Sequence, residues 1–379
     1  MVAGAMTDPT QSAAHGEDGS SLSRLGAAAL AEGRIDEAVR CYRQLDAAEG
    51  RPGDITQAYT PQHLDRARAL RGEPYFRWLE DVAVETAYWT IMKDGVVYND
   101  DVHAKNLRSS PFVRGRVSTD GATVIATLPP PSMELAQACI LVGGDDNYSH
   151  WLFRNMLKLS TLDRAGMLFD YPWLVNSDLL PHQTEYVTLL GQRTERLIKV
   201  ERSVVITCKR LLVPALLTSI YTIAEGVRWI RERFARLLAA PAQASRRIFV
   251  SRRDVARRKL LNEDEIFAAL APLGFERVVP GELGVAEQIA TFSAARVIVA
   301  AHGAALTNMV FAPPSAAIVE LSSTAIEHMD LFRKLARSTQ QRIVTLMSAD
   351  YDVPAHDVGV NTDYRVDPRE VRRAVEQIL

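Results

Sequence analysis

The sequence of 379 residues has little of several features that mark specialised classes of protein. It contains three cysteines, Cys41, Cys139 and Cys208, which are too few and too widely spaced for a disulfide framework or a zinc site. No apolar run reaches the roughly 18 residues that a membrane-spanning helix needs. Basic and acidic residues are nearly balanced, 44 against 46, so no excess of positive charge points to nucleic acid. No G-x-G-x-x-G follows a strand, which argues against a dinucleotide-dependent oxidoreductase.

The beginning of the sequence also lacks an export signal. Residues 1–20 are small and polar and have no apolar core, which predicts a disordered tail and no signal peptide. Widely separated cysteines in apolar or helical surroundings are typical of reduced cytosolic proteins. The sequence therefore predicts a cytoplasmic protein.

A regular alternation of strand and helix patterns is present instead. Between Arg246 and Glu320, apolar β-branched runs alternate with segments of helical periodicity. The runs are too continuous to leave one face in water, which is typical of a parallel sheet that is covered on both faces. We therefore predict an α/β fold.

The length predicts two main domains and an appendage. We interpret residues 21–72 as a tetratricopeptide-like helical hairpin with a linker, residues 73–222 as a first α/β domain, and residues 223–379 as a second. A single hairpin is too short for a repeat array, so we expect it to pack on the main body or on a second subunit. The amphipathic segment 220–240 is expected to bridge the domains, with a membrane-surface helix as the alternative.

Residues that can bind an anion follow the predicted strands of the second domain. Ligands of an α/β sheet collect at the carboxyl ends of its strands, and His302 comes directly after one such end. If Ala304 opens a helix, the free amides of Gly303, Ala304 and Ala305 favour a phosphate. Arg252 follows another strand and can bind the same anion, and Glu320 ends a third, where it can accept from ribose hydroxyls. These strand ends predict a site for a nucleotide diphosphate.

In the first domain the candidate catalytic base is His150. The strand pattern ACILVGG is followed by Asp145 and Asp146, and then by the helix start NYSHW, which Asn147 or Ser149 can cap. Histidine can act as a general base near neutral pH, and the aspartates can orient it, take the proton themselves or hold a metal. The simpler alternative is local packing for His150 and a turn for the two aspartates.

The order of these motifs resembles glycosyltransferase family 61. It runs GG…NYSHW, SRRD…ARRKLLNEDE, GF, EQI, AHGAALTNMVFAPP and IVEL, over roughly residues 138–323. The resemblance implies a GT-B-like arrangement, in which two Rossmann-like domains face a cleft, with the acceptor on the first and the nucleotide sugar on the second. Family motif positions fall on Arg252, Arg258, Asn262, Glu287, His302, Gly303, Asn308 and Glu320, and on His150 with Trp151.

Several of these positions have simpler structural alternatives, and two other residues depart from the family pattern. Asn262 can cap a helix, Glu287 can stabilise packing, and Asn308 can tie down its loop. Arg154 stands where the family usually has an acidic residue, so a carboxylate base would have to come from Asp145, Asp146 or elsewhere. Ala305 replaces a glycine that often follows the HGA motif, a change that a helix start tolerates.

The resemblance implies an inverting, Leloir-type glycosyltransferase of the bacterial capsular or surface-polysaccharide type. We expect a nucleotide sugar, UDP-linked, as donor, a glycan or lipid-linked glycan as acceptor, and no essential metal because arginines can carry the charge. Further expectations are a homodimer through the N-terminal helices and peripheral contact with the inner face of the membrane. The alternatives are a nucleotide-sugar epimerase on a related architecture and a non-catalytic scaffold.

Overall fold

The computed structural model describes residues 19–51, 54–63, 75–99, 110–116, 123–215 and 220–379. The disordered tail predicted for residues 1–20 lies outside these ranges up to residue 18. The predicted linker, residues 52–72, lies outside them at residues 52–53 and 64–72. The described part of that linker contains a strand, which its turn-rich composition did not predict.

The chain has the predicted α/β fold. Helices in the described residues are α1 (Gly19–Ala31), α2 (Ile35–Ala48), α3 (Tyr148–His150), α4 (Ser160–Arg164), α5 (Pro181–Leu189), α6 (Ile220–Arg233), α7 (Glu263–Leu270), α8 (Val285–Ser293), α9 (Leu331–Thr339) and α10 (Pro368–Glu376). A π-helical turn, Trp151–Met156, and a 3-10 turn, Leu157–Leu159, connect α3 to α4.

Strands in the described residues form one large sheet, one five-stranded sheet and one small pair. The large sheet contains β1 (Ile55–His63), β2 (Tyr75–Glu85), β3 (Thr90–Lys93), β4 (Val96–Asn99), β5 (Val113–Arg116), β6 (Val124–Leu128), β7 (Met133–Leu135), β8 (Cys139–Gly143), β9 (Trp173–Asn176), β10 (Leu197–Val200) and β11 (Val205–Ala215). The second sheet contains β12 (Arg246–Val250), β13 (Phe275–Val278), β14 (Ala295–Ala301), β15 (Ala317–Ser323) and β16 (Arg342–Ser348), and the pair is β17 (Asp350–Tyr351) with β18 (Tyr364–Arg365).

Helices α1 and α2 form a hairpin that packs on the large sheet. Buried side chains recur along both helices at helical spacing, and they meet Ile125 of β6. The carboxylate of Asp46 is 2% exposed, accepts a hydrogen bond from the Thr127 hydroxyl at 2.8 Å and pairs with Arg114. The hairpin therefore packs on the main body, which is one of the two predicted options.

The large sheet is mixed rather than parallel. Its edge, β10-β9-β8-β11, runs parallel, as the alternation of strands and helices predicts. Strand β11 then pairs with β2 antiparallel along most of its length, and β2, β3 and β4 continue as an antiparallel meander. A Rossmann-like sheet accounts for only part of this unit, because the short strands before residue 128 carry no signal for the direction of pairing.

The second sheet is parallel throughout, as predicted, in the order β13-β12-β14-β15-β16. Side chains alternate between its two covered faces. On β12, Ile248 and Val250 pack with Ile289 of α8, whereas Phe249 packs with Ile266 of α7 and Val371 of α10. The carboxyl ends of β12, β13 and β14 are thereby held side by side.

Helix α6 bridges the two units, as predicted. We define the first unit as the large sheet with α3, α4 and α5, and the second unit as the parallel sheet with α7 to α10. Val227, Trp229 and Ile230 of α6 are buried, and α6 packs against α9 and against the turn at Leu157–Leu159. These three side chains are therefore covered by protein. Within the described residues, no helix is both long enough and apolar enough to cross a bilayer.

Candidate active site

A cavity of about 670 Å³ lies where the two units meet. The second unit lines it with the loops that follow β12, β13 and β14, at the carboxyl ends of adjacent parallel strands. The first unit lines it with the start of α5 and with residues next to α3. The lining includes Asn147, Tyr148, Pro181, His182, Glu185, Arg252, Asp254, Arg258, Ala304 and Ala305.

Arg252 is a buried cation in this lining, with 8% of its surface exposed. Glu263 of α7 fixes the loop, because its carboxylate accepts the Arg252 N–H at 2.8 Å and the Ser251 hydroxyl at 2.5 Å. The guanidinium donates to the Arg257 carbonyl at 3.1 Å, but its Nε has no partner among the described residues. Burial lowers the pKa of Arg252, although an arginine remains charged at neutral pH. An unpaired N–H on a buried cation favours an anionic ligand.

Arg258 brings a second such group to the same cavity. Its backbone adopts φ of 52°, a left-handed conformation that costs a residue other than glycine about 1–3 kcal/mol. The backbone N–H donates to the Asn361 carbonyl at 3.1 Å, and Nη1 lies 3.8 Å from the sulfur of Met329. Its Nε is buried without a partner in the described part of the chain. Two incompletely paired guanidinium groups thus line one cavity.

Gly303 is needed because the Arg252 guanidinium packs against it. A Cβ atom at this position would lie 1.5 Å from Nη1 of Arg252 and 2.6 Å from its Cζ. The 3-10 helix Ala304–Phe311 begins directly after Gly303, and Ala304 and Ala305 line the cavity. The structure therefore brings together the arginine and the loop that the sequence assigned to one anion site.

His302, which follows β14 directly, and Glu320 form a buried pair. Glu320 lies in the middle of β15 and does not end the strand as predicted, because β15 continues to Ser323 in register with β16. Nδ1 of His302 lies 2.6 Å from one carboxylate oxygen of Glu320, and the Thr345 hydroxyl donates to the other at 2.7 Å. The His302 ring also meets the Phe332 ring edge-on, with centroids 4.9 Å apart. Because both oxygens are engaged, Glu320 orients His302 in this structure, and its contact with a ribose stays a prediction.

Asn308 ties down its loop, which is its predicted structural alternative, through hydrogen bonds that reach both units. It is fully buried, its Oδ1 accepts the Tyr148 hydroxyl at 2.6 Å, and its Nδ2 donates to Gln288 at 2.7 Å. The Tyr148 hydroxyl also lies 2.7 Å from that of Tyr186, and Gln288 donates to two carbonyls of the loop after β13. Contact between Asn308 and a donor stays a prediction.

Two carboxylates occupy the N-terminus of α8. Glu185 of the first unit accepts the N–H of Val285 at 2.8 Å and of Ala286 at 3.0 Å. Glu287 is exposed, accepts the N–H of Gly284 at 3.0 Å and lies outside the cavity lining. These bonds satisfy the free amides of the helix start, and the donor-binding role of Glu287 stays a prediction.

Asn262 stands at the N-cap position of α7, but its side chain makes no capping bond there. Instead Nδ2 donates to the Val366 carbonyl at 2.8 Å, and Oδ1 accepts the Val366 N–H at 3.2 Å. The residue is buried and lies outside the cavity lining. Its position supports a structural role in joining α7 to the chain before α10, and its contact with a donor stays a prediction.

His150 and Asp145 interact, which is one of the predicted options. Nδ1 of His150 lies 3.0 Å from an Asp145 oxygen, and Arg154 lies 3.9 Å from the same oxygen. Burial raises the pKa of Asp145, but hydrogen bonds from His150 and from the Asn147 N–H outweigh it, so the pKa lies below its usual value. Asn147 also caps α3, and Trp151 is fully buried in the core. The catalytic roles of His150 and Asp145 stay predictions, since neither lines the cavity.

Asp146 turns away from its neighbour Asp145. It pairs with Arg202 at 2.5 Å, and Arg202 also pairs with Asp178 at 2.9 Å. Among the described residues, no group of three or more histidine, cysteine, aspartate and glutamate side chains is arranged to hold a metal ion. The geometry gives no support to the option that the two aspartates bind one metal together.

His182 lines the cavity but is not among the residues predicted from the sequence. It is the second residue of α5, its ring packs on Tyr148 with centroids 5.2 Å apart, and its Nε2 is buried with no partner in the described residues. Burial lowers the pKa of His182, and the nearby Asp146 opposes this. The sequence signal is a histidine at a helix start that follows a strand, the same context that points to His150.

Comparison with known proteins links this segment to sugar transfer. Residues 148–319 match the family model described as Glycosyltransferase 61, a little under half of the chain. The chain is also similar to the beta-1,2-xylosyltransferase XAX1 of rice (Oryza sativa subsp. japonica), with 32% identity over 156 residues, which cover 39% of this chain and 27% of the relative. The aligned part of the chain thus spans about a quarter of the length of that curated relative. Both similarities support a glycosyltransferase related to family 61, and the segment that matches the family model contains both arginines and every lining residue of the cavity except Asn147.

Proposed function

We propose that this protein is an inverting, Leloir-type glycosyltransferase that moves a sugar from a nucleoside-diphosphate sugar to a hydroxyl of a glycan or glycolipid. The observation that carries the proposal is the Arg252 guanidinium, which is buried against Gly303 with an unpaired Nε and shares a cavity with Arg258. A diphosphate would supply the missing acceptors and two negative charges.

The reaction assigns a role to each side of the cavity. The acceptor oxygen forms a bond to the anomeric carbon while the bond from that carbon to the diphosphate breaks. The leaving diphosphate gains negative charge in the transition state, and Arg252, Arg258 and the start of the 3-10 helix at Ala304 lie where they can stabilise it. Because these cations can neutralise the charge, we expect no essential metal.

Several finer features belong to the same proposal. The two units that meet at the cavity support a GT-B-like arrangement, with the donor on the second unit and the acceptor on the first. The rice relative is a xylosyltransferase, so UDP-xylose is the first donor to test. A bacterial role in capsule or surface-polysaccharide synthesis at the inner face of the membrane follows from the family resemblance. The cytoplasmic site follows from the composition of the sequence, and the homodimer through α1 and α2 follows from the helical hairpin pattern.

The test is thermal stabilisation by UDP, GDP, CMP and their common sugars, each with and without EDTA. We expect one nucleotide to raise the melting temperature, because a ligand at 100 times its Kd adds about 2.7 kcal/mol to the unfolding free energy. Stabilisation that survives EDTA supports metal-free binding, whereas stabilisation lost with EDTA contradicts it. No stabilisation by any nucleotide would favour the scaffold alternative, and conversion of the sugar without an acceptor would favour the epimerase.

Two variants test the anion site directly. Arg252→Ala should lower turnover about 10²–10³-fold, the effect of losing one preorganised donor at a developing charge. Gly303→Ala should act in the same direction, because the added Cβ would displace the guanidinium. Matched controls are Arg257→Ala, at an exposed arginine, and Gly359→Ala, where a Cβ meets nothing within 4 Å. Turnover of Arg252→Ala within a few-fold of wild type would remove the arginine from the donor site.

A further inference from the structure

We infer that His182 is the general base of the transfer, the group that takes the proton from the acceptor hydroxyl. This inference rests on the proposed function and deepens it. The position of His182 in the cavity, its unpaired imidazole nitrogen and its charge state support the assignment together.

His182 and the two cations line the cavity from different units. It belongs to the first unit, at the start of α5, whereas Arg252 and Arg258 line the cavity from the second unit. An inverting displacement requires the incoming hydroxyl and the leaving diphosphate on opposite faces of the anomeric carbon. A base on the wall of the first unit and cations on the wall of the second unit are compatible with that requirement.

The imidazole of His182 is not committed to another protein group. Its ring packs against that of Tyr148 at an interplanar angle of 48°, and its Nε2 is buried without a hydrogen-bond partner in the described residues. A buried polar atom without a partner costs free energy, which a ligand hydroxyl can recover. Because Nε2 is shielded from water, a rotation of the ring about χ2 is needed to turn a nitrogen toward the acceptor, and such rotations are fast in partly exposed side chains.

The local environment favours the neutral form of His182, which is the form that can accept a proton. Burial lowers its pKa, and the positive N-terminus of α5 acts in the same direction. The charged and titratable groups that face it are Asp146, Tyr148 and Glu185 from the first unit, and Arg252, Asp254, Arg258 and Glu282 from across the cavity. A neutral imidazole has a free lone pair at neutral pH, as general base catalysis requires.

His150, the histidine predicted from the sequence, is placed differently. It lies outside the cavity lining, and its Nδ1 interacts with Asp145, which is also 3.9 Å from Arg154. This arrangement can orient the ring, but it does not place the ring on the cavity wall. The geometry therefore favours His182 for contact with the acceptor.

The proposed step is balanced in atoms and charge. The acceptor O–H bond breaks, its proton passes to the imidazole of His182, and its electron pair forms the new bond to the anomeric carbon. The bond between that carbon and the donor diphosphate breaks, and its electron pair leaves with the diphosphate beside Arg252. The imidazolium then loses its proton to solvent.

The experiment compares His182→Gln and His182→Phe with wild type. The assay is release of nucleoside diphosphate from the stabilising nucleotide sugar, UDP-xylose first, with water or methyl xyloside as acceptor. Glutamine removes the base, and phenylalanine keeps the ring that packs on Tyr148 but removes both nitrogens. We expect turnover to fall about 10²–10⁴-fold in both variants. The rise in melting temperature that the free nucleotide causes should stay within two-fold of the wild-type rise.

The pH profile separates a base from a residue that only supports the fold. Wild-type turnover should fall on the acid side, below the ordinary histidine pKa of 6.5, because protonation of His182 removes the base. This acid limb should disappear in His182→Gln and persist in His150→Gln. The control His356→Gln makes the same replacement at a histidine whose side chain is 80% exposed.

Each other outcome overturns the inference. Turnover of His182→Gln within three-fold of wild type, with its acid limb intact, assigns the base elsewhere. Loss of nucleotide stabilisation in both His182 variants assigns the residue to donor binding or folding. A wild-type protein that neither binds nor cleaves any nucleotide sugar overturns the proposed function, and the role of His182 with it.

Discussion

Glu85 shows how strongly burial can raise the pKa of a single carboxylate in this fold. It is fully buried at the end of β2, where its carboxylate accepts the N–H groups of Ala87 at 2.6 Å and Tyr88 at 3.2 Å. Burial raises the pKa of Glu85 from 4.5 to about 7, although the backbone hydrogen bonds oppose the shift. The folded chain therefore keeps a proton at Glu85 at pH values where the unfolded chain has released it.

This proton makes stability depend on pH in a direction unusual for a carboxylate. The folded pKa is above the unfolded one, so the contribution of Glu85 is complete below pH 4.5 and is lost as the pH rises to about 7. The loss amounts to about 3 kcal/mol. Glu85→Gln, which is always neutral, should remove this pH dependence and be more stable than wild type at pH 8. Urea unfolding at a series of pH values measures the difference.

The matched control for Glu85 is Glu80→Gln, on the same strand. The Glu80 side chain is 67% exposed, so its replacement should leave the slope of stability against pH unchanged. If the difference in unfolding free energy between wild type and Glu85→Gln is the same at pH 4.5 and pH 8, then Glu85 does not titrate as burial predicts.

Single residues also show how far the site could be predicted. The meeting of Arg252 with Gly303 was predictable, because both follow parallel strands whose carboxyl ends share one edge. The role of His182 was not, since it depends on how α5 packs against another unit. Glu320 was predicted to end its strand, but it lies in the middle of β15, and its hydrogen bonds to His302 and Thr345 depend on neighbouring strands. The order of parallel strands can be read from sequence, whereas the last residue of a strand and the partners of a buried side chain cannot.

At the scale of elements, the parallel sheet and its helices follow the periodicity of the sequence closely. The helical segments predicted between Arg246 and Glu320 include the observed helix Val285–Ser293, whereas the bridging helix predicted over residues 220–240 ends at Arg233. The mixed pairing of β11 with β2 was not predictable, because an apolar run does not specify the direction of its neighbour. Asn262 likewise binds Val366, a partner 104 positions away.

The hydrogen bonds between elements predict a measurable coupling across the two units. Tyr148→Phe removes the hydroxyl that donates to Asn308 and contacts Tyr186. Because Asn308 is fully buried, we expect a loss of about 1–3 kcal/mol in unfolding free energy. A double-mutant cycle with Asn308→Ala should give an interaction energy above about 0.5 kcal/mol.

Tyr171→Phe is the control for this hydroxyl. Tyr171 packs edge-on against Trp78, with ring centroids 5.1 Å apart, and its hydroxyl makes no hydrogen bond within the described residues. Its removal should change the unfolding free energy by less than about 0.5 kcal/mol. Equal effects of Tyr148→Phe and Tyr171→Phe would mean that the link between the units contributes nothing to stability.

At the scale of the whole molecule, the two units share one hydrophobic core. The same cluster of buried side chains contains Val142 and Trp151 from the first unit, Ile230 from α6, and Ile248 and Ile298 from the second unit. Separating the units would expose apolar surface on both, at about 25 cal/mol for each Å². Their meeting surface is therefore part of the folding core, and the cavity with Arg252 and His182 lies along it.

A shared core predicts that both units unfold together. The five tryptophans report on the first unit and the bridging helix, because they are Trp78, Trp89, Trp151, Trp173 and Trp229. Far-UV circular dichroism reports on the helices of both units. In urea, the two signals should give the same midpoint and the same slope, as a cooperative two-state transition requires. A loss of helical signal that precedes the tryptophan transition would show that the second unit unfolds alone, and would contradict a common core. If the core is common, a nucleotide bound in the cavity should move both curves by the same amount, since it binds only where the units are joined.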